Sequence, residues 1–393
     1  VLHVEDYAHH PTELACLFQA LREQCPRHRL LAVFQPHRFE RVKRYTAEFA
    51  ELLSTADEVV VTAPFAAWVA DGEAAAPRAI AEGIHGPPAA YWDGEYPDLA
   101  EHLMAGALAA ASEDEGPEGV LVAVIRAGSV NQLVPPLRAS LVRRELQAGA
   151  RELEACAPAL AVSLETPWRE LTTLGIGTAS PLLVRPKSME ELNAALAVAN
   201  RRGIEPFVLG RGSNVVGTDA PMRTMVVRLE QGDFARIEID RNAVVAGAGV
   251  TWPALCRALQ ETERLPPAWA GFASMPGTVG GAVAMNAGAQ GTCMADVVRG
   301  VEGERFDGTP WSADGEAVEW AYRSGNLPED VVVSTVRLAL PADTDSDAAR
   351  TGLREGARRR RTTQPSEASA GCAFRNPGDE SAGRVIERCG CKG

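Results

Sequence analysis

Lysine is nearly missing from this 393-residue chain: there are three, Lys43, Lys187 and Lys392. None stands in a GxxxxGK[ST] loop, where a lysine would neutralise the β- and γ-phosphates of a nucleoside triphosphate, so the chain by itself is not expected to drive an ATP-dependent ligation. Histidine is also sparse, with none beyond His102, and HExxH does not occur, so neither His3 nor the His9–His10 pair is expected to hold zinc. Eight cysteines lie at 16, 25, 156, 256, 293, 372, 389 and 391 without framework spacing, and are expected to be reduced and mostly small core residues. Cys389 and Cys391 form CxC with no second pair, so no metal is expected there either. No run of about 18 apolar residues exists, and the N-terminus has no basic segment leading into an apolar one, so neither membrane insertion nor secretion is expected and a cytoplasmic location is. A formal charge of −13 leaves no basic excess for nucleic acid or an anionic membrane, and favours small-molecule chemistry.

The chain is 46% hydrophobic and 23% charged, a globular composition, and its length predicts two to four domains. Residues 1–137 alternate buried-strand runs (Leu30 to Phe34, Glu58 to Thr62, Val120 to Ile125) with helical periodicity (Glu13 to Gln24, Ala47 to Leu53). That rhythm predicts a parallel, Rossmann-like α/β sheet. Val142, Leu146 and Leu153 recur at helical spacing until Pro158, giving a linker helix over about 138–165. From 166 to 340 glycines multiply and strands shorten, with a helix starting near Ser188, as in an α+β domain. Residues 341–393 read as the start of a further domain, beginning with a basic helix end at Arg354 to Arg361. The sequence opens on Val1 within a strand-like run and stops inside a motif, which is the expectation for a fragment of a longer protein.

Two glycine-rich loops carry the chemistry of the second half. Leu209 to Asp219 (LGRGSNVVGTD) contributes Gly210, Gly212, Ser213 and Asn214. Pro276 to Gly291 (PGTVGGAVAMNAGAQG) contributes Pro276, Gly277, Thr278, Gly280, Gly281, Asn286, Ala287 and Gly288. Glycine lets backbone N–H groups come close to a pyrophosphate. Neither loop has the GxGxxG spacing of a Rossmann dinucleotide site.

With LTTLGIGTASPLLVRPKS (Leu171 to Ser188), AYRSGNLPED, RRTTQP, SAGCAFRNP and CGCKG following in order, residues 168–393 resemble UDP-N-acetylenolpyruvoylglucosamine reductase. The resemblance implies an FAD domain of the vanillyl-alcohol oxidase/PCMH type, NADPH as reductant and a UDP-sugar substrate. Reduction of an enol ether bearing a carboxylate leaves negative charge on that carboxylate. Arg323, between Tyr322 and Ser324 at what reads as a strand start, matches the family's arginine for holding it. Cys372 stands where the family uses a serine or cysteine to deliver a proton to the α-carbon. Tyr322, Gln364 and Asn376 match substrate-side positions. The family's catalytic glutamate falls beyond Gly393, so weak turnover is expected of this chain. A chain that only binds FAD or nucleotide-sugar remains the alternative; an alcohol oxidase of the same fold finds no motif for covalent flavin attachment.

At the other end, VEDYAHHPTE (Val4 to Glu13) and VFQPHRFER (Val33 to Arg41) resemble the C-terminal domain of UDP-N-acetylmuramate:L-alanine ligase over about 1–137. This implies Asp6 and Arg38 on the nucleotide side and His9 and His10 near the acyl phosphate and amino acid, with ATP and Mg used only in a full-length parent. Left to themselves, the histidines read equally well as a helix cap or core polar group. The two resemblances belong to successive reactions of peptidoglycan precursor synthesis, so a ligase–reductase fusion is expected. Oligomeric state is not legible.

Overall fold

The computed structural model describes residues 1–64, 75–106, 119–125, 128–341, 344–363, 367–378 and 380–391. The chain divides into two compact units, Val1–Leu141 and Val142–Gly393. Gln364 and Lys392 lie outside the described residues.

The first unit is a five-stranded, wholly parallel sheet built from β1 (Leu2–Asp6), β2 (His28–Phe34), β3 (Glu58–Thr62), β4 (Ala89–Trp92) and β5 (Gly119–Ile125), in the order β1-β5-β2-β3-β4. Its apolar runs alternate between two covered faces, as a doubly wound sheet requires. Leu30, Ala32, Phe34, Val59 and Val61 pack under Leu14, Phe18, Phe49 and Ile80. Leu31, Val33, Val60, Val122 and Val124 pack under Leu99, Leu103, Leu133 and Leu137. The predicted α/β architecture is therefore present. At its carboxyl edge the buried amide of Gln35 accepts from Val130 N at 2.9 Å and donates to Ala63 O, Tyr96 Oη and Ser129 Oγ at 3.1 to 3.3 Å.

The second unit holds two main sheets. The first contains β6 (Ala161–Ser163), β7 (Leu182–Arg185), β8 (Glu205–Val208) and β9 (Thr224–Val227), ordered β6-β7-β9-β8, with β7, β8 and β9 mutually parallel. The second is antiparallel and runs β10 (Ile237–Ile239), β11 (Ala243–Gly247), β16 (Val331–Ala339), β14 (Val298–Arg305), β15 (Pro310–Asp314); β12 (Gly288–Ala289) and β13 (Thr292–Cys293) form a small hairpin. One core joins the two sheets, with Leu182, Val184, Met225 and Val227 meeting Val244, Ala246, Trp252, Phe272, Val336 and Leu338. The helix expected near Ser188 is Met189–Arg202. Ser188 caps its first turn and Gly203, at φ +57°, closes its last.

Three expectations need correcting. The linker helix starts earlier, at Val134, because Pro135 and Pro136 occupy its first turn, where a missing N–H costs nothing; it ends at Cys156, and β6 lies inside the span expected to be linker. The cysteines are not mostly core: Cys256 is buried, but Cys16, Cys156, Cys372, Cys389 and Cys391 are exposed, and all eight are free. Cys16, for instance, falls off the Leu14–Phe18–Leu21 stripe that buries its helix. Arg323 is not at a strand start, as detailed below. Among the described residues no helix is long and apolar enough to cross a membrane, and no cluster of three or more His, Cys, Asp or Glu could hold a metal.

Candidate functional site

In the second unit the two glycine loops face each other. The loop after β8 comes so near the other that a Cβ on Gly210 would lie 2.8 Å from Thr278 Oγ1, and one on Gly277 would lie 3.9 Å from Ser213 Oγ. Gly212, at φ +66°, gives its carbonyl to Thr173 N at 3.0 Å, and a side chain there would run into the Leu171 carbonyl. Thr278 caps the short helix Val279–Ala284, its Oγ1 accepting from Gly281 N at 3.2 Å. The N–H groups of Gly210, Arg211, Gly212, Ser213 and Asn214 donate to no described residue. Donors left open on a glycine-rich loop fit the diphosphate of a dinucleotide such as FAD.

The arginine and cysteine segments are fastened to the same loops. Ala321–Ser324 is a tight turn closed by Ala321 N to Ser324 O at 2.9 Å and Ser324 N to Ala321 O at 3.2 Å, with Arg323 at φ +60°; β16 begins only at Val331. The turn is held by Asn286, whose Nδ2 donates to Ala321 O at 3.0 Å while its Oδ1 accepts from Ala295 N at 3.1 Å. Gly325 N donates to Ala284 O at 2.9 Å. Thus two hydrogen bonds fasten the loop of Ala284 to Gly288 to the Arg323 turn. On the other side, Gly371 (φ +80°) packs its Cα against Asn214, whose Oδ1 would be 3.1 Å from an added Cβ. This places the segment of Cys372 beside the first glycine loop. Asn376 N donates to Tyr322 Oη at 3.4 Å, and Asn376 Oδ1 accepts from Ala382 N at 3.1 Å. Tyr322 is 55% exposed, and Arg323 and Cys372 are exposed as well, so these groups stand at an open surface. Of the substrate-side expectations, Gln364 lies outside the described residues.

In the first unit, β1 and β2 flank β5 and end on one edge, which is where open parallel sheets place ligands. Asp6 Oδ1 accepts from Ala8 N at 2.7 Å. His10 caps the helix Pro11–Gln24: its Nδ1 accepts from Thr12 N, and Glu13 closes a capping box by accepting from His9 N and His10 N at 2.9 and 3.1 Å. The two backbone hydrogen bonds and the nearby histidines hold the Glu13 carboxyl below its ordinary range. His9 Nδ1 lies 2.9 Å from Tyr7 O. Arg38, at φ +60°, opens the helix Phe39–Arg44, and Arg41 Nη1 donates to His9 O at 3.2 Å, tying the two motifs together. The sequence reading passed over His37. Its ring stands edge-on to His9 at 6.3 Å, its Nδ1 is buried without a partner among the described residues, and burial, helped by Arg38, His9 and Arg41, pushes its pKa down. Its signal was present in the order Gln35-Pro36-His37-Arg38 directly after a buried strand.

These features define a flavin-binding protein carrying a Mur-ligase-type domain ahead of its flavin domain. Residues 180–312 match the family model of the FAD binding domain, and residues 1–124 that of the Mur ligase, glutamate ligase domain. The chain is 36% identical over 251 residues to the UDP-N-acetylenolpyruvoylglucosamine reductase of Moorella thermoacetica, covering 63% of this chain and 78% of that protein. It is 37% identical over 230 residues to reductase 2 of Symbiobacterium thermophilum, covering 58% and 73%. Among solved structures, the enzyme from Thermus caldophilus superimposes with a TM-score of 0.51 at 33% identity, over 60% of this chain and 82% of that one. The chain belongs to the UDP-N-acetylenolpyruvoylglucosamine reductase family.

Proposed function

We propose that the second unit reduces the enolpyruvyl ether of UDP-N-acetylglucosamine to UDP-N-acetylmuramate, with NADPH as reductant, in the cytoplasm. The observation that carries the proposal is the continuity of the Arg323 turn, the Cys372 segment and the two glycine loops through Asn286, Asn214 and Asn376. Gly210 to Asn214 and Gly277 to Gly281 are the residues that would hold FAD, which supplies hydride transfer when bound. Arg323 binds the substrate carboxylate by a two-pronged contact and stabilises the charge that collects there as the double bond is reduced. The Cys372 thiol gives its proton to the α-carbon. Tyr322, Asn376 and Gln364 orient the substrate, and Asn286 fixes the arginine turn.

The first unit, in this proposal, is the amino-acid-adding side of a UDP-N-acetylmuramate:L-alanine ligase. Asp6 and Arg38 meet the nucleotide there, and His9 and His10 stand near the acyl phosphate. ATP and Mg would act only where a phosphate-loop domain completes that ligase. The openness of Arg323 and Cys372 favours one competing reading, a chain that binds flavin or nucleotide-sugar without turnover, because charge stabilisation weakens in water.

Anaerobic spectroscopy separates the two. Bound FAD that NADPH bleaches and the enolpyruvyl substrate reoxidises establishes the reductase. FAD that is retained but never reoxidised by substrate leaves the binding reading, and protein that takes up no added FAD excludes the reductase and leaves at most a nucleotide-sugar binder.

A further inference from the structure

The helix Ser346–Thr363 carries six arginines against two carboxylates, Asp347 and Glu355, in a chain whose net charge is −13. Its inner face is occupied. Ala349 is buried, a Cβ added to Gly352 would lie 2.9 Å from Ala270 Cβ, and one added to Gly356 would lie 3.1 Å from Gln290 Nε2. Arg360 Nη1 donates to Ser274 O. Gln290 belongs to the second glycine loop and Ser274 lies two residues before it, so the C-terminal turns of the helix are seated against that loop. The outer face is different. At 3.6 residues per turn, Arg350, Arg354, Arg358 and Arg361 lie within about 80° of one another around the axis, and all four are exposed. Arg350 reaches Glu263 at 3.5 Å and Asp347 at 3.7 Å. The side chains of Arg354, Arg358 and Arg361 have no hydrogen-bond or ion-pair partner among the described residues. Like charges at i, i+4 destabilise a helix, and the helix dipole favours cations only in the last turn. Helix stability therefore accounts for Arg360 and Arg361 but not for Arg350, Arg354 and Arg358.

We propose that this arginine stripe is the capture surface for NADPH, guiding it along the helix toward the glycine loops. The inference rests on the reductase reading. NADPH carries about four negative charges at neutral pH, about two of them on the 2′-phosphate that NADH lacks, and a chain of net charge −13 repels it. A local row of cations reverses that repulsion and raises the association rate. The stripe runs for about 16 Å, at 1.5 Å per residue, and its Arg361 end is the one beside the loop. The enolpyruvyl UDP-sugar has its carboxylate matched by Arg323, whereas none of the other proposed site residues is assigned to a 2′-phosphate.

Anaerobic stopped-flow reduction of the bound flavin by NADPH tests this in R354Q/R358Q and, as a second variant, R358Q/R361Q. Both pairs lie off the buried face of the helix. At low salt, where screening reaches only beyond about 30 Å, the second-order rate constant should fall about tenfold and lose most of its salt dependence. The rate at saturating NADPH and reoxidation by the UDP-sugar should stay at wild-type values, and NADH should lose less than NADPH. R354K/R358K keeps the charges and should keep the rate. A rate constant unaltered in both glutamine variants, an equal loss for NADH, or a loss confined to reoxidation by the UDP-sugar overturns the capture surface. So does protein that holds FAD but is neither bound nor reduced by NADPH. NADPH fluorescence on FAD-free protein separates this from the flavin reading. Protein that takes up no FAD yet binds NADPH more weakly in the glutamine variants keeps the stripe and sinks the reductase; binding neither sinks both.

Discussion

The backbone N–H of Asn376 points at the Tyr322 hydroxyl from 3.4 Å, joining two segments more than fifty residues apart in sequence. Tyr322 adjoins Arg323, and Asn376 lies four residues beyond Cys372, so this bond sets the spacing between the group proposed to hold the carboxylate and the one proposed to deliver the proton. Tyr322→Phe removes the acceptor of this bond and the hydroxyl's own polar contact with the substrate, while keeping the ring. Loss of one such bond is worth about 1 kcal/mol, so kcat/KM for the enolpyruvyl substrate should fall roughly fivefold with FAD affinity unchanged. Steady-state kinetics on FAD-loaded protein checks this; an unaltered kcat/KM would mean the bond does not position the site.

Arg323 sits at φ +60°, a conformation that costs a side-chain-bearing residue about 1 kcal/mol or more. Strain of this kind persists where function needs the side chain. Arg323→Gly should therefore raise the Tm of the unit, by roughly 2 to 4 °C for about 1 kcal/mol, while abolishing substrate reduction. Arg323→Met should lower kcat by about a hundredfold or more without the stability gain. Calorimetry beside turnover measurements separates the two effects, and a glycine variant that melts lower than wild type would show that the arginine is structural.

Cys372 and its proton are tested by two substitutions. Cys372→Ser keeps a hydroxyl proton at the position and should keep substantial activity. Cys372→Ala should lose about a hundredfold in the substrate-reduction step while NADPH still reduces the bound flavin at the wild-type rate. Stopped-flow measurement of each half-reaction decides it. Equal rates for serine and alanine would assign the proton to another group.

Where burial and periodicity decide structure, the sequence was readable. Leu30 to Phe34 and Val120 to Ile125 lie in strands because continuous apolar runs fit only a doubly covered parallel sheet, and Ser188 and Gly203 bracket a helix by local capping chemistry. Conformations set by distant contacts were not readable. Pro135 and Pro136 look like breakers until the 3-10 turn Val130–Leu133 places them in the first turn of a helix. The strand Ile237–Ile239 is short because Phe234 is buried in the 3-10 turn Gly232–Ala235 just before it. The αL geometry of Arg323 follows no residue preference, since Asn286 and the Ala321–Ser324 pair impose it. The glycine loops are legible as motifs, but their mutual approach through Gly210 and Thr278 needed the fold.

His37 links the first unit's stability to pH. Burial is the main cause of its lowered pKa, with Arg38, His9 and Arg41 adding to it. The folded state therefore binds this proton less readily than the unfolded chain, whose histidine titrates near 6.5. A lowered folded pKa gives a contribution that is fully present above the unfolded value and is lost as the pH falls through the folded one. Wild-type Tm should accordingly fall between pH 7.5 and 5.5, and His37→Phe, which carries no proton and leaves no unpartnered Nδ1, should show a smaller fall over the same interval. If His37→Phe and wild type lose the same number of degrees, His37 does not carry the acid sensitivity of this unit.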